Sequence, residues 1–199
     1  MDNNAPKSKI STDQLLTASL REHLQAVQSL LETELADIER AGRLICSTLS
    51  QGNKILICGN GGSAADAQHI AAELVGRYEQ QRRSWPAIAL TTDTSALTAL
   101  SNDFGYADVF ARQVAGLAVS GDLLIAISTS GKSPNVLKAA EKAREIGCQV
   151  LGLSGETREP LASLCDLCVA VPSKRTSRVQ EAHITIGHLW CEMVDQINS

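Results

Sequence analysis

The sequence predicts an α/β fold with three layers, in which helices cover both faces of a five-stranded parallel sheet and a helical arm precedes the sheet. Short runs of Val, Ile and Leu alternate with stretches of helical periodicity from residue 54 onward. This alternation is typical of parallel strands that are buried on both faces. The chain of 199 residues is rich in alanine and has only two each of Trp, Tyr and Phe. Its helices must therefore pack closely, through small aliphatic side chains.

The elements follow in chain order. The polar residues 1–10 predict a flexible leader, and residues 11–199 predict a single domain that includes the N-terminal helices. From Ser11 to Leu49, apolar residues recur at the spacing of one or two long amphipathic helices. Further helices are predicted over residues 64–77, 95–119 (two short helices around a turn at 102–105), 135–146, 161–164 and 177–197. Strands are predicted over residues 54–58, 87–90, 122–127, 149–153 and 167–171.

Charge and hydropathy argue against several classes of partner. The net charge is −4 and no long basic run occurs, which argues against a nucleic-acid groove. The apolar run Leu123–Ile127 is far too short to span a membrane, and the first residues show no signal-peptide pattern. The six cysteines are scattered through apolar segments. We therefore expect a cytoplasmic protein with reduced cysteines in its core.

The first strand is followed by a glycine-rich loop, Cys58–Ser63 (CGNGGS), that leads into a helix. Its glycines permit a tight turn with exposed amides, Ser63 can cap the helix, and the helix N-terminus favours an anion or a polyol. Two other interpretations stay open: a plain tight turn, and a loose dinucleotide fingerprint that begins at Gly59. The fingerprint needs an acidic residue about 20 positions later, and Asp93 lies well beyond that spacing.

A second loop, Ser128–Pro134 (STSGKSP), follows the third strand and carries four hydroxyls around one glycine. Hydroxyls and free amides at a helix start can hold a phosphate monoester without an arginine cluster. Pro134 stands where the first helical residue is expected. The alternative is a capping turn, although one cap uses fewer hydroxyls. Ligands of parallel sheets bind at the carboxyl ends of the strands, so the two loops together favour a sugar phosphate.

Two helices carry residues suited to metal binding or proton transfer. His69 and Glu73 are four residues apart and share one face of the helix after the first loop; the alternative is a surface ion pair. The last predicted helix carries Gln180, His183 and His188. A histidine among apolar neighbours is also compatible with a core or interface position. These two helices nevertheless hold all but one of the chain's four histidines.

Several motifs, in this order, closely resemble the sugar isomerase (SIS) domain of the phosphoheptose isomerases. They are Cys58-Gly-Asn-Gly-Gly-Ser-Ala-Ala-Asp-Ala-Gln-His69, Glu73-Leu-Val-Gly-Arg77-Tyr78, Asn102-Asp-Phe-Gly105, Ser128-Thr-Ser-Gly131, and Arg178-Val-Gln-Glu-Ala-His183 with His188. The resemblance implies the flavodoxin-like SIS fold. It also implies isomerisation of sedoheptulose 7-phosphate to D-glycero-D-manno-heptose 7-phosphate through an enediol, which begins the synthesis of nucleotide-activated heptose for lipopolysaccharide or another surface glycan.

The resemblance also implies roles for single residues. Glu73 and His188 match the catalytic base and acid. One zinc ion per subunit would be bound by His69, Glu73, Gln180 and His188. The residues that match substrate-binding positions are Asn60, Gly61, Gly62, Ser63, Glu73, Arg77, Asn102, Asp103, Ser128, Thr129, Ser130, Ser133 and Gln180. The same resemblance implies a homotetramer with active sites at the subunit interfaces.

Two other functions are compatible with these motifs. A non-catalytic SIS protein that binds the bacterial replication initiator keeps much of the glycine-rich loop, but it lacks the full acid and base pair that Glu73 and His188 supply here. An isomerase or binding module for another phosphosugar would need the same hydroxyl loop. Turnover of sedoheptulose 7-phosphate, compared with six-carbon ketose phosphates, separates the three.

Overall fold

Within residues 11–197, the part of the chain that the computed structural model describes, five parallel strands form one sheet in the order β2-β1-β3-β4-β5. The strands are β1 (Ile55–Cys58), β2 (Ala87–Ala89), β3 (Leu123–Ser128), β4 (Gln149–Ser154) and β5 (Leu167–Ala170). The predicted parallel α/β fold is confirmed, with every strand boundary within one residue of its expected place. The leader predicted for residues 1–10 lies outside the described residues, as do residues 198 and 199.

The helices of the described residues are α1 (Thr12–Thr33), α2 (Leu35–Ser50), α3 (Gly62–Val75), α4 (Thr94–Phe104), α5 (Val109–Leu117), α6 (Pro134–Ile146) and α7 (Thr176–Asp195), with short 3₁₀ turns at Tyr106–Asp108 and Leu161–Leu164. The N-terminal arm is therefore two helices, which meet at Glu34. This glutamate is buried, and its carboxylate accepts hydrogen bonds from Arg158 and from the backbone amide of Ala170 on the edge strand β5. None of these helices is long and apolar enough to cross a membrane.

Each face of the sheet has its own hydrophobic core. Successive residues of a strand point to opposite faces, so Ile57 packs in one core and Leu56 in the other. The first core lies under α2, α3 and α7 and contains Trp190. The second lies under α5 and α6 and contains Phe110 and Val136. These two cores fix the helices that lead away from the carboxyl ends of β1 and β3.

Two helix ends differ from the prediction. Helix α3 begins at Gly62, so Ser63 lies inside the first turn and its side chain makes no capping hydrogen bond; the cap is Gly61, whose φ of 57° lets the chain turn into the helix. The expectation that Ser63 caps this helix was wrong. Helix α4 continues to Phe104, so Asn102 and Asp103 belong to its last turn. Only Gly105, with φ 87°, forms the predicted turn.

The outer face of α1 is not covered by any other part of residues 11–197. Ala26 and Leu30 are the buried residues of this helix. The apolar residues that follow the same helical spacing but remain 51–67% exposed are Leu15, Leu16, Leu20, Leu24, Leu31 and, at the start of α2, Leu35. A contiguous apolar stripe of this kind marks an interaction surface on a folded protein.

Candidate active site

The candidate site lies where the crossover connections of the sheet change direction. Strand β1 pairs with both β2 and β3. The loop after β1 leads to α3 on one face, and the loop after β3 leads to α6 on the other face. Such a switch point opens a crevice at the carboxyl ends of the strands, where ligands of open parallel sheets bind. The glycine-rich loop and the hydroxyl loop therefore border the same crevice.

A pair of asparagines joins the glycine-rich loop to the first turn of α6, directly after the hydroxyl loop. The side-chain amide of Asn60 donates to Oδ1 of Asn135 at 2.8 Å, and the amide of Asn135 donates to Oδ1 of Asn60 at 2.8 Å. The hydroxyl of Tyr106 donates to the same Asn60 oxygen at 2.9 Å. Asn135 is only 2% exposed and Asn60 is half-buried, so this hydrogen-bonded pair is partly shielded from water. The orientation of Asn60 is consequently fixed before any ligand binds.

The hydroxyl loop is built so that its side chains do not cap the helix that follows. Ser133 occupies the N-cap position of α6, yet its hydroxyl lies 3.0 Å from Oγ of Ser128 and makes no capping hydrogen bond. Pro134 is the first helical residue, as predicted. Gly131 has φ 67°, and a Cβ there would lie 2.6 Å from the carbonyl oxygen of Thr157. The amide of Val136 in the first turn donates instead to Oδ1 of Asn135 at 3.0 Å, so the helix N-terminus offers an anion mainly its dipole and the neighbouring hydroxyls.

A cleft of about 240 Å³ opens beside the hydroxyl loop. Its lining residues are Thr129, Ser130, Lys132, Glu156, Thr157, Ser173, Lys174 and Thr176. Lys132 and Lys174 bring two cations to a chain whose net charge is −4, and Lys174 lies 3.9 Å from Glu156. Hydroxyls together with cations suit a phosphate monoester, because charge-assisted hydrogen bonds to phosphate are stronger than neutral ones.

The predicted base and acid come together between α3 and α7. Nε2 of His69 lies 3.2 Å from Oε1 of Glu73 and 3.4 Å from Nε2 of His188. The two imidazole rings meet edge to face, with their centroids 4.9 Å apart. The side chains of His69 and Glu73 are 45% and 25% exposed, so a small substrate can reach them. His69, Glu73 and His188 are called the histidine–glutamate cluster below.

Gln180 does not reach this cluster within one chain. Its side-chain amide lies against the start of α3, where a Cβ on Gly62 would be 2.4 Å from its Nε2. It precedes His188 by about two turns of α7, or about 12 Å along the helix axis. The structure thus brings together His69, Glu73 and His188, and leaves Gln180 beside the glycine-rich loop.

Three further residues that were expected at the site lie on the surface. Arg77, Asn102 and Asp103 are all exposed. Arg77 donates to the carbonyl oxygen of Glu79 at 3.4 Å, and the amide of Asn102 donates to Oδ1 of Asp103 at 2.8 Å. Across residues 11–197, no hydrogen bond joins any of the three to the histidine–glutamate cluster. Their substrate contacts therefore stay a prediction.

The donors of the cluster fit zinc in chemical type. Zinc takes imidazole nitrogen and carboxylate oxygen at about 2.0–2.1 Å, which places neighbouring ligands of a tetrahedral site about 3.3 Å apart. The observed separations are 3.2 Å and 3.4 Å. Even so, no three His, Cys, Asp or Glu side chains among the described residues converge on one point as in a formed metal site. The cluster is a suitable donor set that needs side-chain rotation, not a preformed cage.

Two neighbours of the cluster were not singled out from the sequence. Asp66 lies one turn before His69 on α3; burial raises the pKa of its carboxyl to about 6, which the nearby His69 opposes in part. Its Oδ2 is buried and has no hydrogen-bond partner among residues 11–197. The spacing of Asp66, His69 and Glu73 on one helical face could have indicated it. The ring centroid of Tyr78 lies 5.4 Å from that of His188. The two residues are far apart in the sequence, so no spacing indicated this contact.

Comparison with known proteins identifies the family. Residues 20–155 match the SIS domain. A phosphoheptose isomerase from Aliarcobacter butzleri is 54% identical over 173 residues, which cover 87% of this chain and 92% of that protein. The chain belongs to the phosphoheptose isomerase family. A phosphoheptose isomerase from Campylobacter jejuni is 52% identical over 184 residues, which cover 92% of this chain and 97% of the relative.

Two solved phosphoheptose isomerases have the same fold. The one from Neisseria gonorrhoeae superimposes with a TM-score of 0.89 at 40% identity, covering 94% of this chain and 100% of that chain. The one from Francisella tularensis gives a TM-score of 0.91 at 34% identity, with the same coverage. The resemblance to phosphoheptose isomerases and the SIS fold are therefore confirmed, and the chain is an aldose–ketose isomerase of this family.

His183 has a structural position, unlike the other two histidines of these helices. It is fully buried, and its Nε2 lies 3.0 Å from the carbonyl oxygen of Ser154 at the end of β4. Burial lowers the pKa of its imidazole to about 4, and the hydrogen bond to Ser154 opposes this shift only in part. Neutral His183 therefore attaches α7 to the sheet beside the site.

We expect this histidine to make the folded protein less stable in mild acid. Between pH 6.5 and about 4, the unfolded chain protonates His183 while the folded chain keeps it neutral, so stability falls as the pH falls. The loss between pH 7 and pH 4.5 is about 2–3 kcal/mol. Urea unfolding at the two pH values measures it. In His183→Gln this part of the pH dependence should be missing, and equal losses in both proteins would contradict the assignment.

Proposed function

We propose that this chain converts sedoheptulose 7-phosphate to D-glycero-D-manno-heptose 7-phosphate, the reaction that begins the synthesis of nucleotide-activated heptose for lipopolysaccharide or another surface glycan. One observation carries the proposal: Glu73 and His188, which lie far apart in the sequence, share a cluster between α3 and α7. The adjoining crevice holds a loop suited to phosphate. An aldose–ketose interconversion needs a base, an acid and an anchor for the phosphate.

In the proposed mechanism Glu73 moves the proton between the two carbons. Its carboxylate takes a proton from the hydroxymethyl carbon next to the ketone, which forms an enediol, and returns that proton to the former carbonyl carbon. His188 moves the second proton, between the two enediol oxygens, so no proton is gained or lost overall. Both transfers require the two groups to lie close to the same two neighbouring carbons of the substrate. The contacts of His69 with both groups support this arrangement.

The phosphate end of the substrate is assigned to the hydroxyl loop. Ser128, Thr129, Ser130 and Ser133 would donate hydrogen bonds to the phosphate oxygens, and the N-terminus of α6 adds the favourable end of its dipole. Asn60, Gly61, Gly62 and Ser63 would contact the sugar from the glycine-rich loop. Support comes from the asparagine pair that holds the two loops together.

We also propose one zinc ion per subunit, bound by His69, Glu73 and His188; Gln180, the further ligand that the resemblance implies, would have to come from another subunit, because within one chain its side chain lies against Gly62. When bound, zinc would polarise the carbonyl and stabilise the charge that develops on oxygen. A carboxylate that binds the metal tightly cannot also act freely as a base. Glu73 must therefore either leave the ion during turnover or bind it weakly.

Turnover assays test the proposed reaction. We expect the purified chain to isomerise sedoheptulose 7-phosphate and to turn over six-carbon ketose phosphates far more slowly. Glu73→Gln should abolish turnover while it leaves substrate affinity largely intact, because the amide keeps the shape of the side chain but cannot accept the proton. Product formation and calorimetric binding measure the two effects.

The matched control for this variant is Glu79→Gln, a change of the same kind in an exposed loop residue close by. It should keep wild-type turnover. Full activity of Glu73→Gln would exclude Glu73 as the base. Faster turnover of a six-carbon substrate would replace the proposed substrate, and binding of the sugar phosphate without turnover would favour a non-catalytic SIS protein.

Metal removal tests the zinc proposal. Exhaustive chelation should remove about one zinc per chain, as measured by elemental analysis, and should lower turnover; added zinc should restore it. His69→Ala should lower the zinc content, because it removes one of the imidazole ligands. His23→Ala, outside the cluster, should not. Unchanged turnover of a chain with no measurable zinc would show that the metal is not needed.

We further propose the homotetramer that the resemblance implies. The exposed leucines of α1 support it, because an apolar stripe of six side chains is costly in water unless another surface covers it. We expect sedimentation to give a tetramer. Leu20→Lys combined with Leu24→Lys should shift the distribution to smaller species, while Gln25→Lys on the same helix should not. A monomeric wild-type protein would contradict the proposal.

A further inference from the structure

One buried ion pair joins the two helices that carry the proposed base and acid. Nε of Arg82 donates to Oδ1 of Asp195 at 2.8 Å, and each side chain is 2% exposed. Arg82 lies in the connection between α3 and β2, and Asp195 is the last residue of α7. Charged side chains are rarely buried without full compensation. The partners of this pair therefore indicate what it holds in place.

The guanidinium of Arg82 closes the C-terminal end of α3. Its Nη2 donates to the carbonyl oxygen of Glu73 at 2.8 Å. Its Nη1 donates to the carbonyl oxygens of Leu74, Gly76 and Arg83 at 2.9, 3.3 and 3.0 Å. The last carbonyls of a helix have no partners within the helix and attract a cation. The last turn of α3 has no basic residue of its own, so Arg82 supplies that charge.

Asp195 holds both Arg82 and the segment that precedes it. Its Oδ2 accepts hydrogen bonds from the backbone amides of Glu79 at 2.8 Å and Gln80 at 2.9 Å. Burial alone would raise the pKa of Asp195. The two amides and the guanidinium outweigh that effect, so the pKa of this carboxyl lies below its usual value. The pair is therefore ionised at neutral pH.

The ion pair contacts the backbone of one cluster residue directly. The carbonyl that Arg82 holds at 2.8 Å belongs to Glu73, and Asp195 follows His188 by about two turns of the same helix. Helices α3 and α7 thus touch at the imidazoles of His69 and His188 and are tied again by the ion pair. A shift of the ion pair would move the backbone of Glu73 relative to α7.

We propose that Arg82 and Asp195 are positioning residues for the isomerisation: they fix the backbone of Glu73 against α7 and so set the separation between the Glu73 carboxylate and the His188 imidazole. The inference rests on the proposed function, because it takes Glu73 as the base and His188 as the acid. Displacement of a catalytic group by about 1 Å can lower the rate about 10²-fold. Substrate affinity, by contrast, is assigned mainly to the two loops, which the ion pair does not contact.

The chain offers a matched control for the stability that any buried ion pair contributes. Lys54 donates to Asp122, whose side chain is 1% exposed, and that carboxylate also accepts from the backbone amides of Lys54 and Val119. Asp122 therefore resembles Asp195 in burial and in its hydrogen bonds. It lies at the amino ends of β1 and β3, away from the cluster.

The experiment compares Asp195→Asn with Asp122→Asn, both as full-length chains assayed well below their melting temperatures. Each neutral isostere removes the charged partner of a cation, Arg82 (2% exposed) in one case and Lys54 (23% exposed) in the other, so both should lower Tm. Asp195→Asn should also lower kcat about 10- to 100-fold, with KM within about twofold of the wild type. Asp122→Asn should keep the wild-type kcat. A wild-type kcat in Asp195→Asn, with Tm lowered as in the control, would overturn the inference.

Arg82→Lys keeps the test decisive if either isostere fails to fold. Lysine retains the charge beside Asp195 but lacks the planar fork that reaches the carbonyls of Glu73 and Leu74. It should lower kcat with little change in KM, and a wild-type kcat would again overturn the inference. Failure of the proposed function gives a different result, because the wild-type chain would then not turn over the substrate, or Glu73→Gln would remain active.

Discussion

The close approach of α3 and α7 is the constraint on which the rest of the site depends. Two glycines permit it. A Cβ on Gly187 of α7 would lie 2.8 Å from the side chain of Ile70, and one on Gly62 of α3 would meet Gln180 at 2.4 Å. Because packed interiors leave few voids and little room for added atoms, a larger residue at either position would displace the side chain of Ile70 or Gln180 that lies between the helices. The 3.4 Å contact between His69 and His188 lies in the same interface between α3 and α7.

Much of the fold could be predicted because hydrophobic patterning is local information. The buried runs of β1 and β3 and the helices between them are specified by residues close in sequence. The helical spacing of the leucines in α1 was equally clear, but spacing alone does not distinguish a stripe that packs on the chain's own core from one that is left exposed. Leu20 and Leu30 follow the same periodicity, yet one is 66% exposed and the other 4%.

The site was predictable to a different extent. Motifs and their order indicated the two loops and the residues of the cluster. Contacts between side chains distant in sequence could not be predicted, because they depend on how the helices are placed over the sheet. The pairing of Arg82 with Asp195 and the contact between the rings of Tyr78 and His188 are of this kind. So is the position of Gln180, whose side chain lies against Gly62 and not in the cluster.

The reciprocal hydrogen bonds between Asn60 and Asn135 have a consequence for the motion of the two loops. They lock the loop after β1 to the start of α6, while α3, which continues from the first loop, carries Glu73. The glycine-rich loop and the start of α6 are therefore linked mechanically within one chain, and α3 extends that link to Glu73. Under the proposed function, a phosphate bound at the hydroxyl loop would restrict the motion of the glycine-rich loop as well.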